Sequence, residues 1–174
     1  MALRPGRCVR RIKRAWTRIS QRVPKKSYIV GVPYPRIHIF EMGAKDKEFD
    51  TQVLLQAENS VQIRENALEA ARVVANKYLE KALGKEGFFM KVLKYPHQIL
   101  REHSLATGAG ADRFSMGMRK AFGKPKGRAV IAYSGETLMV VKVNKNQVEI
   151  AKEALRRSST KLPTPCKIIV EELN

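Results

Sequence analysis

The first 36 residues contain eleven Lys and Arg and no Asp or Glu; the first acid of the chain is Glu41. The bases are Arg4, Arg7, Arg10, Arg11, Lys13, Arg14, Arg18, Arg22, Lys25, Lys26 and Arg36. A segment of this kind has too few apolar groups to bury and too much like charge to collapse by itself. It reads as an extended basic arm that needs an external polyanion to offset its repulsion. Arg outnumbers Lys eight to three, and the planar guanidinium donates two parallel hydrogen bonds to a phosphate. A nucleic-acid backbone is the partner this pattern implies. Val9, Ile12, Trp16 and Ile19 recur at spacings of three and four, which permits a local helix. Pro24, Pro33 and Pro35 end any continuation. Trp16 suits stacking on a base and packing on the domain equally.

The chain of 174 residues fits one domain, expected over 37–174, behind a basic extension over 1–36. Hydrophobic residues make up 44%, enough for a core, and the net charge of +18 favours nucleic acid first and an anionic membrane second. No apolar run approaches the roughly 20 residues that span a bilayer, and the basic N-terminus lacks the apolar stretch of a signal peptide, so no membrane partner is expected. Cys8 and Cys166 stand near opposite ends with neither metal spacing nor a disulfide framework; two reduced thiols in a cytosolic protein are expected.

Hydrophobic periodicity predicts short strands at Ile37 to Phe40 and Val53 to Gln56, with a polar loop from Gly43 to Asp50 between them. Residues 61–83 predict a helix: Leu68, Ala71, Ala75, Leu79 and Ala82 form one stripe, with Ser60 as N-cap and Gly84 in the left-handed position after the last turn. Phe88 to Tyr95 and Pro96 through His103 are strand-like. Ala129 to Tyr133 and Thr137 to Val143 flank Ser134-Gly135-Glu136, a hairpin signal. Asn146 is expected to open a second helix with Glu149 completing a capping box, and Cys166 to Val170 is a final strand. Two helices and several short, mostly antiparallel strands make an α+β domain.

The stretch from His103 to Arg128 holds the most chemistry. A loop of about 25 residues inside a compact domain is commonly functional. It sets Arg113, Arg119, Lys120, Lys124, Lys126 and Arg128 against one acid, Asp112, and interleaves Phe114, Met116, Met118 and Phe122. Glycines at 108, 110, 117, 123 and 127 allow close backbone approach, cations meet phosphates, and aromatic rings stack on exposed bases. A solvated loop without a partner is the plainer reading. Nucleotide-binding loops fit poorly: Arg113 occupies the third-glycine position of a dinucleotide fingerprint, and Gly123 to Gly127 lacks Walker spacing. His38, His97 and His103 have no metal spacing. Asp112 suits a local hydrogen bond better than acid catalysis, since no partner acid or base lies near it in sequence. No metal, cofactor or catalytic group is expected.

Several motifs in one order carry a family resemblance. They are Arg4-Pro5-Gly6-Arg7-Cys8, Gly31-Val32-Pro33 with Ile37-His38-Ile39-Phe40, and Ala67 to Arg72 with Ala75-Asn76-Lys77-Tyr78. Gly110-Ala111-Asp112-Arg113, Gly117-Met118-Arg119 and Ala121 to Pro125 follow. The chain resembles the L-sixteen family of large-subunit ribosomal proteins, in its archaeal and eukaryotic L-ten-e branch, over nearly its whole length. The resemblance implies two main helices on a mostly antiparallel sheet with a hammerhead-like arrangement. It also implies a non-enzymatic protein of the cytoplasmic ribosome whose partners are large-subunit rRNA, neighbouring ribosomal proteins and the tRNA acceptor arm. The loop toward the tRNA acceptor arm and the peptidyl-transferase region then corresponds to His103 through Arg119, with Gly108, Gly110, Asp112, Arg113 and Met116 near its tip. Arg4, Arg7, Arg10, Arg11, Arg14, Trp16, Arg18, Arg22, Lys25, Lys26, Lys120, Lys124, Lys126 and Arg128 are the expected rRNA contacts, the arm residues ordering only on binding. Val9 stands where the family pattern has tyrosine, and the chain stops at Asn174 without the longer eukaryotic extension, which favours the archaeal branch. The rival readings are a DNA-binding architectural protein, which charge alone does not separate from an RNA-binding one, and an RNA-modifying enzyme, which would need a cofactor pocket or metal.

Overall fold

The central strands bury the most. In the computed structural model, which describes residues 3–12, 29–106 and 108–173 with the side chain of Asp112 excepted, strand β2 (Thr51–Ala57) keeps Val53, Leu55 and Ala57 at 1% exposure or less, and strand β7 (Thr137–Val143) fully buries Leu138, Met139, Val141 and Val143. Lys13, Arg14, Trp16, Arg18, Arg22, Lys25 and Lys26 lie outside the described residues. The two strands pair antiparallel, with Val53 opposite Val141 and Leu55 opposite Met139. Strands β1 (Glu41–Gly43), β4 (Phe89–Val92) and β8 (Cys166–Glu172) complete a five-stranded sheet in the order β1-β4-β7-β2-β8.

Helix α1 (Glu65–Leu83) lays Leu68, Ala71, Ala75 and Leu79, all fully buried, against α2 (Val148–Ser159), whose apolar face is Ala151, Ala154 and Leu155. These residues and the inner face of β2, β4 and β7 form one core. A second sheet, of strands β3 (Val61–Arg64), β6 (Lys124–Ala132) and β5 (Gln98–Glu102), has β6 in the middle. Every strand pairing is antiparallel. The α+β class holds, but with two sheets in place of one.

Several local expectations are corrected. Ser134-Gly135-Glu136 is a tight turn, closed by Glu136 N–H to Tyr133 O at 3.1 Å, yet β6 and β7 do not pair across it. Each belongs to a different sheet. The turn bonds instead to the second sheet-crossing: Ala57 exchanges backbone hydrogen bonds with Gly135 and Glu136, at 2.8 and 3.0 Å. Ser134 Oγ donates to Glu58 O, and Ser60 Oγ accepts from Ser134 N–H. Ser60 is therefore no helix cap. Residues 61–64 are strand, because Val61 and Ile63 fit both a period of two and the helical stripe, and their β-branching favours the ladder with β6. The helix opens at Arg64 without a side-chain cap and ends at Gly84, with φ +74. Asn146 sits in a 3-10 turn (Lys145–Gln147) before α2, and the capping box is not formed: Glu149 accepts from Lys152 instead. Ile37 to Phe40 is not a strand; Ile37 is a fully buried plug, and pairing with β4 begins at Glu41.

Candidate nucleic-acid interface

The small sheet, the segment from 103 to 123 and the N-terminal residues 3–12 meet at one end of the molecule. The N-terminal residues are not loose there. Gln62 N–H donates to Arg10 O at 2.8 Å, which places residue 10 on the free edge of β3. Arg64 holds the strap from below: Nη1 donates to Arg4 O at 2.7 Å, and a Cβ on Gly6 would lie 3.3 Å from Nη2. Arg4 itself donates to the Glu102 carboxylate at 3.0 Å. Residues 3–12 thus lie along the edge strand through the Arg10 carbonyl and the Arg64 side chain. Arg7, in a 3-10 turn (Gly6–Cys8), and Arg10 and Arg11 remain exposed.

The stretch expected to be a loop as far as Arg128 ends earlier. Lys124, Lys126 and Arg128 lie on β6, opposite Glu102 to Ile99 of β5. Pro125 enters the middle strand beside the register shift at Leu100/Arg101, a place where the missing N–H costs little. Gly123 (φ +73) makes the join possible: a Cβ there would stand 2.6 Å from the carbonyl carbon of Glu102 and 2.7 Å from His103 N. Between His103 and Gly123 the backbone runs through successive tight turns. Ala111 N–H bonds to Gly108 O, Arg113 N–H to Gly110 O, Arg119 N–H to Met116 O and Gly123 N–H to Lys120 O. His103 Nε2 lies 2.6 Å from Gly117 O and ties the base of the segment to its far end. Gly110 takes a left-handed conformation before a 3-10 turn (Ala111–Arg113) that includes the backbone of Asp112.

This scaffold presents apolar tips to solvent. Phe114 is 86% exposed, and Met116 and Met118 are about as open, at 67% and 68%. Arg113, Arg119, Lys120, Lys124 and Lys126 are exposed among them. Arg101 lies 3.7 Å over the Phe122 ring and donates to Phe122 O. Arg128 is fixed by donation to Pro33 O at 2.9 Å and lies 3.4 Å from the Tyr95 hydroxyl. Arg64 and Arg101 escaped the sequence reading as site residues, because they are scattered along the chain and only the fold gathers them with Arg36.

Charge is sorted across the molecule. Among the described residues there are nine ion pairs, and eight of them lie on β1, β4, α1, α2, β8 or the turns beside them; Arg4–Glu102 is the exception. Arg7, Arg10, Arg11, Arg113, Arg119, Lys120 and Lys124 of the small-sheet end are exposed and enter none of these nine pairs. Exposed cations beside exposed rings and thioethers are the composition that binds phosphate and stacks on bases. Among the described residues no three His, Cys, Asp or Glu side chains converge as a metal site, and no helix is long and apolar enough to cross a membrane.

The family model described as ribosomal protein L16p/L10e matches residues 16–169. The chain belongs to that family. It is similar to the large ribosomal subunit protein uL16 of Archaeoglobus fulgidus, 51% identical over 99% of this chain and 95% of the relative. The uL16 of Caldivirga maquilingensis is 49% identical over 97% and 94% of the two chains, and that of Picrophilus torridus 48% over 90% of each. Membership makes the chain a ribosomal protein of the cytoplasm with archaeal relatives, and not an enzyme. The cationic end just described is accordingly weighed as an RNA interface of a ribosomal protein.

Proposed function

We propose that the chain is a structural constituent of the large ribosomal subunit that grips rRNA with its small-sheet end. In this reading residues 1–36 act as a basic arm: Arg7, Arg10, Arg11, Arg14, Arg18, Arg22, Lys25 and Lys26 neutralise phosphates, and Trp16 stacks on a base or packs on the domain. Lys120, Lys124, Lys126 and Arg128 continue the contact along β6. The segment from His103 to Arg119, with Gly108, Gly110, Asp112, Arg113 and Met116, reaches toward the tRNA acceptor arm and the peptidyl-transferase region. The two sheets with their paired helices are the hammerhead-like scaffold that the resemblance implies. Neighbouring ribosomal proteins meet the charge-balanced remainder.

The sorting of charge supports this reading most. Eight of the nine ion pairs among the described residues lie on the helices, the five-stranded sheet and the adjoining turns, whereas exposed Arg7, Arg10, Arg11, Arg113, Arg119, Lys120 and Lys124 of the small-sheet end enter none of them, and neither do Lys77, Lys81, Lys142 and Lys167 elsewhere. The names of the relatives point the same way.

Competition between large-subunit rRNA and duplex DNA at matched salt tests the reading. The protein is expected to prefer rRNA. With roughly 6–10 phosphates neutralised, its affinity should fall about 10³–10⁵-fold between 50 and 200 mM salt. Preference for the DNA duplex would make the protein an architectural DNA binder and reject the proposal.

A further inference from the structure

A cleft of about 400 Å³ lies between the N-terminal strap and the small sheet, within the size range of sites that take one small ligand. Its parts differ in chemistry. One wall is apolar, made by buried Leu100 and by the Phe122 ring, which stays 43% exposed although Arg101 lies over it. The rim is cationic, with Arg36, Arg64 and Arg128, none of whose guanidinium groups is in an ion pair among the described residues. Arg64 and Arg128 are already held by the carbonyls of Arg4 and Pro33, so little side-chain freedom remains to be lost on binding.

The floor has the opposite charge. Glu65, only 6% exposed, accepts from the Arg36 N–H at 3.0 Å through one oxygen. Its other oxygen lies under Gly127, where a Cβ would stand 3.1 Å away. A buried carboxylate repels phosphate and accepts N–H donors; a guanidinium rim does the reverse. An occupant that satisfies both is anionic at one end, flat and apolar in the middle, and an N–H donor at the other. A nucleotide has that polarity.

Resting on the RNA-binding reading above, we infer that this cleft holds one unpaired nucleotide of RNA, its phosphate on the arginine rim and its base against Phe122 and Leu100 with an N–H edge toward Glu65. An A-form duplex keeps its bases stacked and paired and does not enter. The cleft therefore selects a bulge, loop or extruded base, and supplies a register point that phosphate contacts alone lack.

Cys8, on the N-terminal strap, and Ala121, in the 103–123 segment, are exposed residues that line the cleft. Cys8→Trp and Ala121→Trp each fill it without changing charge. Each full-length variant is titrated with large-subunit rRNA across a salt series, and its melting temperature is measured. The expected result is about tenfold weaker binding at every salt concentration, with the salt slope and melting temperature of the parent. Tenfold corresponds to about 1.4 kcal/mol, within the ~1–3 kcal/mol that one base–aromatic stack contributes. Parental affinity in both filled variants overturns the cleft while leaving the RNA-binding reading in place. Loss of thermal stability in both variants with unchanged affinity identifies the occupant as the chain's own, and also overturns it. Failure of the parent protein to bind rRNA sinks the broader reading and this inference with it.

Discussion

The helical half with its five-stranded sheet and the small-sheet end are built from the same kinds of residue and use them in opposite ways. Phe88 and Met90 are fully buried, while Phe114 and Met116 stand in solvent. Arg72, Arg156 and Arg157 are paired within their own helices, while Arg113 and Arg119 have no ion pair among the described residues. Arg157 also lies 4.2 Å over the Tyr78 ring and joins α2 to α1, whereas the Arg101 stack on Phe122 shapes the wall of an open cleft. Apolar exposure and cations outside ion pairs support the proposed interface because they occur together and at one end. Either feature alone is common on protein surfaces.

The sharpest way to break this contrast is to truncate one phenylalanine on each side. Phe88→Ala leaves a void in the shared core and is expected to cost about 3–5 kcal/mol, read by denaturant unfolding. Phe114→Ala is expected to stay within about 0.5 kcal/mol of the parent and to slow peptide synthesis in reconstituted subunits. Equal destabilisation by the two would show that the 103–123 segment packs as part of the fold, and the functional contrast would go with it.

Glycines sharpen the boundary between the two regions. Gly123→Ala forces a Cβ into the backbone of Glu102 and His103 at positive φ, and is expected to cost about 1–3 kcal/mol. Gly108→Ala also has positive φ (+112), but no atom lies within 4 Å of its Cβ position, so its cost should be smaller. Amide hydrogen exchange should rise around 102–103 and 120–123 in the first variant while α1 keeps its protection. Uniform loss of protection would mean that the joint is part of the cooperative core.

Legibility in the sequence followed the same division. Thr137 to Val143 was readable to the residue because its run of mostly apolar, β-branched side chains starts directly after the Ser134-Gly135-Glu136 turn. Of the stripe Leu68, Ala71, Ala75, Leu79 and Ala82, the first four form the buried face of α1, while Ala82 in the last turn is exposed. Errors arose where two patterns overlap or where partner choice is long-range. Val61 and Ile63 satisfy strand and helix spacing alike. The 134–136 turn was visible, but its bonding to Ala57 was not. Lys124 to Arg128 reads as turn chemistry, and only the bulge opposite Leu100/Arg101 explains its place in a ladder. The arm's charge and the glycine-rich segment were evident from residue counts alone. The cleft was not, since its lining comes from five separated stretches of chain.

Acid should loosen the charge-matched half with the smallest effect of the series. Hydrogen bonds from Arg156 and Arg157 lower the Glu153 carboxyl from its ordinary 4.5 to about 2, and those from Lys45 and Lys91 lower Glu41 likewise to about 2. Hydrogen bonds from Lys94 and the Tyr133 N–H lower Glu136 as well. A carboxyl depressed in the folded state stabilises that state fully above the unfolded value and loses its contribution as protons bind the folded chain. The contribution of Glu153 and Glu41 is therefore constant from pH 7 to about 5 and declines between about 4.5 and 2, and that of Glu136 declines below 4.5 in the same direction. Because the groups lie at the surface and are partly exposed, solvent screening keeps each share small. Glu153→Gln should flatten part of the decline in unfolding midpoint over that window and leave the neutral-pH salt dependence of rRNA binding unchanged. A Glu153 carboxyl that titrates near 4.5 by NMR would show that its two arginines are solvated rather than paired. Charge matching within the chain would then no longer distinguish the helical half from the end left open to RNA.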